Sequence, residues 1–377
     1  MKKILLFAFF LCFHMRVYAA PVISNLDSVQ VGEGQSLTIQ GSGFGVKQNG
    51  SPLVFDNFDK NDISRQDGDI IAGKKCSDFG QWNDSVYNMA PVYTNSGNRI
   101  GSELCTYHYL EGGKTKNHAP MWIKFADKNT PVILVSYWTK FQYTQGTDTA
   151  WQLKYFRLTD GVNDADPYTF FQDGWWTNRP ENSKGLCIFF LQTLNPVWEN
   201  YSLSKTYSDT TLDYNKIPNE WFHYLLMIKQ SSASGVADGQ VQVYVNGRNI
   251  ATEEKMVTYE TGEVVKGATF MWYMGNNEGE GTAQVYFDDI YIDNSWQSLW
   301  ICDGNSWDES THREVQVPTA WSSDSITLKI NQGSFKNDET AYLFVVDQNG
   351  VASEKGKPIV FCDCQVEAPG SVSVETF

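Results

Sequence analysis

The sequence predicts an all-β chain made of two sandwiches, one split in sequence around the other. Three observations predict it. First, short alternating or apolar runs such as "WQLKYFRL" (151–158), "GQVQVYVNG" (239–247) and "AQVYFDDIYID" (283–293) are separated by clusters of Gly, Asn, Asp and Ser, and regular helix signals are almost absent. Second, aromatic residues make up 14% of the chain, which suits broad, half-buried sheet faces. Third, "SLTIQGSGFG" (36–45) is an alternating strand running into three glycines, yet the short strands that should follow within about a dozen residues come only at 313–361.

From the N-terminus, "MKKILLFAFFLCFHMRVYAA" has two lysines, an apolar stretch and small residues at its end. It reads as a secretory signal at 1–20, too short and too polar in its sequel to span a membrane. No later apolar run is long enough to cross a bilayer, so the expected location is secreted or at the cell surface.

Residues 21–52 then supply the orphan strand. Its expected partners are "REVQVP" (313–318), "SITLKI" (325–330), "AYLFVVDQNG" (341–350) and "KPIVF" (357–361). "PVISNLDSVQVGEGQSLTIQGSGFG" together with "SDSITLKI" and "AYLFVVDQNG" resembles an immunoglobulin-like IPT/TIG domain. The resemblance implies one such domain formed by 21–52 plus 299–361, with 53–298 inserted between. "PLVFDNFD" (52–59) enters the insert and "VYFDDIYIDNSW" (285–296) leaves it. Pairing the two as neighbouring edge strands would bring the insert's ends together. Residues 362–377 read as a flexible tail.

The insert reads as a concanavalin-like jelly roll of two antiparallel sheets. "EWFHYLLMIKQ", "ADGQVQVYVNGR", "ATFMWYMGNN" and "VYFDDIYI" resemble the strands of jelly-roll polysaccharide lyases of the alginate and glucuronan type. Such an enzyme abstracts a proton α to a uronate carboxylate. It needs a base, an acid for the leaving oxygen, and a cation or amide to neutralise the carboxylate. The resemblance implies a Lys, an Arg and a Tyr-x-Tyr pair on adjacent strands. Lys154 matches the Lys; Phe170, Phe171 and Gln172 stand where the Arg is expected, and Ile188 and Phe190 where the tyrosines are expected. The expectation is therefore a lectin-like, carbohydrate-binding jelly roll that has lost catalysis. A structural or adhesive surface protein, and a uronate lyase with a divergent site, remain as alternatives.

The candidate glycan contacts are Trp138, Lys140, Gln152, Lys154, Arg157, Gln172, Trp175 and Trp176. Paired tryptophans stack on sugar rings or cap a core, and a sheet lysine can simply lay its stem on a neighbour. For a divergent lyase the candidate catalytic residues are Lys154, His223 and Tyr224. His223 lies among apolar neighbours and reads equally as a packed histidine; His108 and His118 lie in a loop-like stretch without an evident partner. Asp288 and Asp289 are adjacent, so they face opposite sides of a strand and lack the same-face spacing of a glycosidase pair. No cofactor is required. A structural Ca²⁺ held by Asp56 and Asp288 is the candidate metal, against a solvent-facing Asp beside a hydrogen-bonded one.

The net charge of −15 argues against nucleic acid, whose phosphates would be repelled. It counts against a polyanionic ligand too, unless a local basic groove overrides it. The expected partners are an extracellular polysaccharide or glycan, and self or other surface proteins. Beyond the leader there are six cysteines, and export permits disulfides: Cys76–Cys105 is the first expected pair, and Cys302 with Cys362 or Cys364 the second.

Overall fold

The computed structural model describes residues 19–59, 65–84, 86–111, 118–145, 151–159, 169–176, 185–190, 219–258, 265–276 and 281–363. The chain begins with β1 (Val22–Leu26), β2 (Gln30–Val31) and β3 (Ser36–Ser42). It continues through β4 (Val54–Asp56), β5 (Val92–Thr94), β6 (Cys105–Glu111), β7 (Met121–Lys124), β8 (Val132–Gln145), β9 (Trp151–Thr159), β10 (Thr169–Trp176) and β11 (Gly185–Phe190). Next come β12 (Phe222–Lys229), β13 (Gly239–Val245), β14 (Arg248–Met256), β15 (Gly267–Asn276) and β16 (Gly281–Asp293). The last strands are β17 (Ser298–Cys302), β18 (Arg313–Trp321), β19 (Ser325–Lys329), β20 (Thr340–Val346) and β21 (Lys357–Phe361).

Alternation along β3 buries Leu37 and Ile39 and exposes Ser36 and Gln40. Those two buried residues sit opposite Leu328 and Ile326, because β3 pairs antiparallel with β19 from the far end of the chain. The resulting sheet runs β1-β3-β19-β18-β17-β20-β21-β2. It encloses a core of Leu37, Ile39, Phe44, Ile326, Leu343 and Ile359. β18 joins its two parts, pairing with β17 through Arg313–Gln316 and with β19 through Val317–Trp321.

The middle of the chain forms a jelly-roll sandwich. One sheet is five-stranded, β11-β10-β9-β15-β7; the other runs β14-β13-β12-β8-β16-β6-β5, with β4 also on β16. Aromatic rings fill the space between them. Tyr137 stacks on Tyr224 at 5.1 Å and meets Phe156 and Phe270 at 5.6 Å, while Phe270 meets Phe287 at 5.3 Å. β4 pairs with β16 through Asp56 and Ile290, so the entering and leaving strands are neighbours. β16 is an interior strand rather than the predicted edge, flanked by β8 on one side and by β6 and β4 on the other.

The larger jelly-roll sheet is covered on both faces. Tyr224, Leu226 and Ile228 of β12 enter the jelly-roll core. Leu225 and Met227 of the same strand enter a second cluster with Trp296, Trp300, Val315 and Phe344. That cluster is the seam between the two sandwiches. The Trp296 indole, buried in it, donates to the carbonyls of Ile133 and Ile228, both at 3.2 Å.

The expected disulfides do not form between described residues. Cys76, Cys105 and Cys302 are all free and buried. Cys76 belongs to the jelly-roll core, while the Cys105 thiol donates to Thr94 O at 3.7 Å. Cys302 packs in the seam as a free thiol, so neither Cys76–Cys105 nor a bond from Cys302 to Cys362 or Cys364 is made. Cys362 is not one of the free thiols.

Candidate functional site

On the five-stranded sheet, Phe156 and Leu158 of β9 face the core, and Arg157 between them faces the other way but is itself buried, 5% exposed. Arg157 lies opposite Thr269 on β15 and Gln172 on β10. Three positions earlier, Lys154 lies opposite Tyr273, with its Nζ 5.3 Å from the ring centroid. The register shifts between Phe270 and Tyr273, and Met271 there has φ 52°. This irregularity places Met271 in the core while Tyr273 sits beside Lys154.

His118 completes the group. Its ring lies 4.9 Å from Tyr273 and 5.0 Å edge-on from Tyr87, and the Asn88 amide stands 3.3 Å from its Nδ1. Burial, reinforced by Arg157 and then Lys154, pushes the imidazole down to about 4. At neutral pH the ring is uncharged, with a nitrogen able to accept a proton. An acidic chain therefore gathers two cations, a neutral base, a phenol and an amide on one sheet face. Such a set can neutralise a carboxylate, stack on a sugar ring and move a proton.

The structure brings together part of the predicted set. Gln152, Lys154 and Arg157 lie on β9. Gln172, Trp175 and Trp176 lie on neighbouring β10, where Trp176 is opposite Gln152 and Gln172 opposite Arg157. The side chains of Gln152, Gln172, Trp175 and Trp176 lie outside the described residues. Phe170, Phe171, Ile188 and Phe190 are likewise described only through their backbone. His118 and Tyr273 were not among the predicted residues. The sequence marks His118 only as a histidine in a loop-like stretch without an evident partner.

The remaining predicted contacts lie on the other sheet. Trp138 is in the seam, where its indole donates to Glu314 Oε2 at 3.0 Å and the Arg99 guanidinium lies 4.5 Å from its ring. Lys140 is buried, donates to Gly97 O and lies 4.6 Å from the Tyr286 ring. His223 is buried between Trp138 and Trp300, with Nε2 2.8 Å from Ser136 Oγ. Burial pushes it down to about 3, so it is neutral and away from Lys154's face. Tyr224 is inside the jelly-roll core.

The acids proposed for calcium are engaged by protein donors. Asp56 Oδ1 receives Arg65 Nη1 at 2.8 Å and the amides of Phe58 and Ser77, and Oδ2 receives Trp82 Nε1 at 2.7 Å. Asp288 Oδ2 receives the Ser102 hydroxyl at 2.5 Å, and Oδ1 the Asp289 amide. Among the described residues no group of three or more His, Cys, Asp or Glu could hold a metal ion. His108 is buried; its Nδ1 bonds to Ala119 O at 2.7 Å. His312 pairs with Glu314 at 2.7 Å in the seam.

No family model and no curated protein matches the chain. Solved structures offer distant likenesses. The alginate lyase Aly36B is 12% identical, with 51% of this chain and 81% of that one covered at a TM-score of 0.36. The endo-β-1,4-glucuronan lyase of the fungus Trichoderma reesei is 12% identical, covering 61% and 97% at 0.38. Botulinum neurotoxin type C, in a structure described by its dependence on two ganglioside molecules, is 12% identical, covering 67% and 64% at 0.36. None of these reaches a TM-score of 0.5, and the fold rests on the chain's own sheet topology.

Proposed function

We propose that this chain is a secreted protein that binds an acidic, uronate-type polysaccharide on the outer face of its five-stranded sheet. The carrying observation is the placement of Lys154 and Arg157 beside neutral His118 and Tyr273. Half-buried Lys154, with the buried Arg157 behind it, supplies the local positive charge that an acidic chain needs in order to hold a polyanion. The leader read at 1–20 supports export. The β3–β19 pairing supports reading 21–52 plus 299–361 as one split IPT/TIG-like sandwich that carries the 53–298 jelly roll.

The test is a glycan array containing alginate, glucuronan and neutral polymers, followed by titrations of Lys154→Ala and Arg157→Ala. A uronate polymer should bind, and each substitution should weaken it about tenfold or more, the value of a charge-assisted hydrogen bond. Failure of every uronate polymer to bind, or binding unchanged in both variants, overturns the reading.

A second reading is favoured by the protonation of His118. An unprotonated imidazole between two cations can take the proton α to the uronate carboxylate. The pair of electrons then forms the carbon–carbon double bond, the glycosidic C–O bond breaks, and the Tyr273 hydroxyl protonates the leaving oxygen. New ultraviolet absorbance from an unsaturated uronate, lost in His118→Ala, would establish elimination. Binding without that absorbance leaves the protein a lectin.

A further inference from the structure

A buried lysine meets a buried aspartate where the chain enters and leaves the jelly roll. Lys47 lies between β3 and β4, and Asp293 ends β16. Their side chains are 1% and 0% exposed, and Lys47 Nζ stands 2.5 Å from Asp293 Oδ2. The other fully buried ion pairs among the described residues use arginine: Arg65 with Asp56, and Arg99 with Asp288, Asp289 and Glu314. A guanidinium keeps its proton inside a protein, whereas an amine that gives up its proton becomes a nucleophile.

The surrounding contacts hold the two groups together. Lys47 Nζ also donates to Gln297 O at 3.1 Å, and the Trp321 ring covers it at 5.1 Å. Gln297 Nε2 donates to Phe44 O at 2.8 Å and Trp321 Nε1 to Gly45 O at 3.2 Å, so the backbone leading to Lys47 is pinned by the same two residues. On the other side, the Tyr291 hydroxyl donates to Asp293 Oδ2 at 2.7 Å. Burial raises the Asp293 carboxyl, against the pull of Lys47, Tyr291 and the Asn294 amide. Burial also raises the Tyr291 phenol, which stays protonated as a donor.

We propose that Lys47 and Asp293 condense into an amide cross-link between their side chains. A proton first passes from the ammonium to Asp293 Oδ2 along their contact, leaving an amine beside a carboxylic acid, the form that a site without water favours. The amine nitrogen then bonds to Asp293 Cγ. Oδ2 departs as water, its second proton drawn from the attacking nitrogen, with the Tyr291 hydroxyl donating to it as it leaves. One C–N bond forms and one C–O bond breaks, and no oxidant or co-reactant is consumed. The product buries a neutral amide where the reactants bury two charges. It encloses β4–β16, every strand of the jelly roll, in one covalent loop closed at the base of that sandwich.

Mass spectrometry of the full chain, purified folded and then reduced and unfolded, tests this. The wild type should be lighter by one water than its sequence requires, and proteolysis should yield a branched peptide joining Lys47 to Asp293. Lys47→Arg keeps the positive charge and should show the full sequence mass, as should Asp293→Ala. In freshly synthesised chain, Tyr291→Phe should form the cross-link about a hundredfold more slowly. Folded wild type at full sequence mass overturns the proposal without recourse to any variant. A water loss that persists in Lys47→Arg, or that maps to another residue, overturns it too.

Discussion

Arg99 Nη1 stands 2.5 Å from Glu314 Oε1 across the seam, and both side chains are almost inaccessible to water. The same guanidinium pairs with Asp289 through Nη2 and lies over the Trp138 ring. Glu314 is shared further, by the Trp138 indole, His312 and the Ser334 amide and hydroxyl. Burial alone would raise the Glu314 carboxyl; Arg99 and His312 together hold it well below the usual carboxylate range. One cation thereby ties β16 of the jelly roll to β18 of the other sandwich.

Removing that cation takes the main counter-charge from the buried Glu314 carboxylate. Arg99→Ala should therefore destabilise the protein by about 3–5 kcal/mol, read from urea melts. A loss under about 1 kcal/mol would mean that water reaches Glu314 once the arginine is gone.

Backbone contact across the seam is equally close. Gly101 has φ 91°, and a Cβ there would stand 2.1 Å from Gly333 O. Gly101→Ala should cost about 3 kcal/mol or more, combining left-handed strain with a clash. Gly235 is the control, since it has φ 73° but no atom within 4 Å of a Cβ. Gly235→Ala should cost only about 1 kcal/mol, the backbone part. Equal losses at the two sites would show that the loop 99–102 moves aside.

Much of the strand content was readable because the alternation is local, as in β13, where Val241, Val243 and Val245 are buried between half-buried residues. The two-sided burial of β12 was readable in principle, since "FHYLLMIK" is continuous rather than alternating. Its consequence was not, because nothing local says that the second face meets Trp296 and Trp300. Trp138 faces the seam rather than the groove for that reason, and Lys140 is covered instead by Gly97 and Tyr286. Lys154 and Arg157 were legible as polar residues on a strand. Tyr273 was hidden by the irregularity at Met271, and His118 by a loop whose position only tertiary packing sets.

The free thiols give a direct check on the fold. Burial raises Cys76, Cys105 and Cys302 far above an ordinary thiol, Cys302 to about 12. All three should resist alkylation in the native protein and react together once it is unfolded. Rapid native labelling of Cys105 would mean that the contact with Thr94 O opens. Because no described pair depends on these three, a reductant should leave their contribution to the melting temperature unchanged.

The pH dependence of stability has a sign set by the seam. Burial drives the Asp289 carboxyl up to about 8, against the pull of Arg99, and Asp288 upward beside it. A carboxyl raised above its unfolded value of about 3.9 binds more protons folded than unfolded. Its contribution is fully present below pH ~4 and is lost as pH rises through about 8. Buried His108 and His223 and half-buried His118 act oppositely: pushed down to about 4, 3 and 4, they stabilise above pH ~6.5 and lose that contribution as pH falls. Above pH ~6.5 those histidines are neutral in both states, so the carboxyls set the slope. Stability should fall between pH ~6.5 and ~8, by up to about 1.4 kcal/mol per pH unit for each of the two carboxyls that stays protonated in the fold. Urea melts across that range should show the decline, and Asp289→Asn should make it shallower, with Asp288 left to supply the rest. A rise in stability over the same interval would mean that Asp289 is already ionised at pH ~6.5, with Arg99 outweighing its burial.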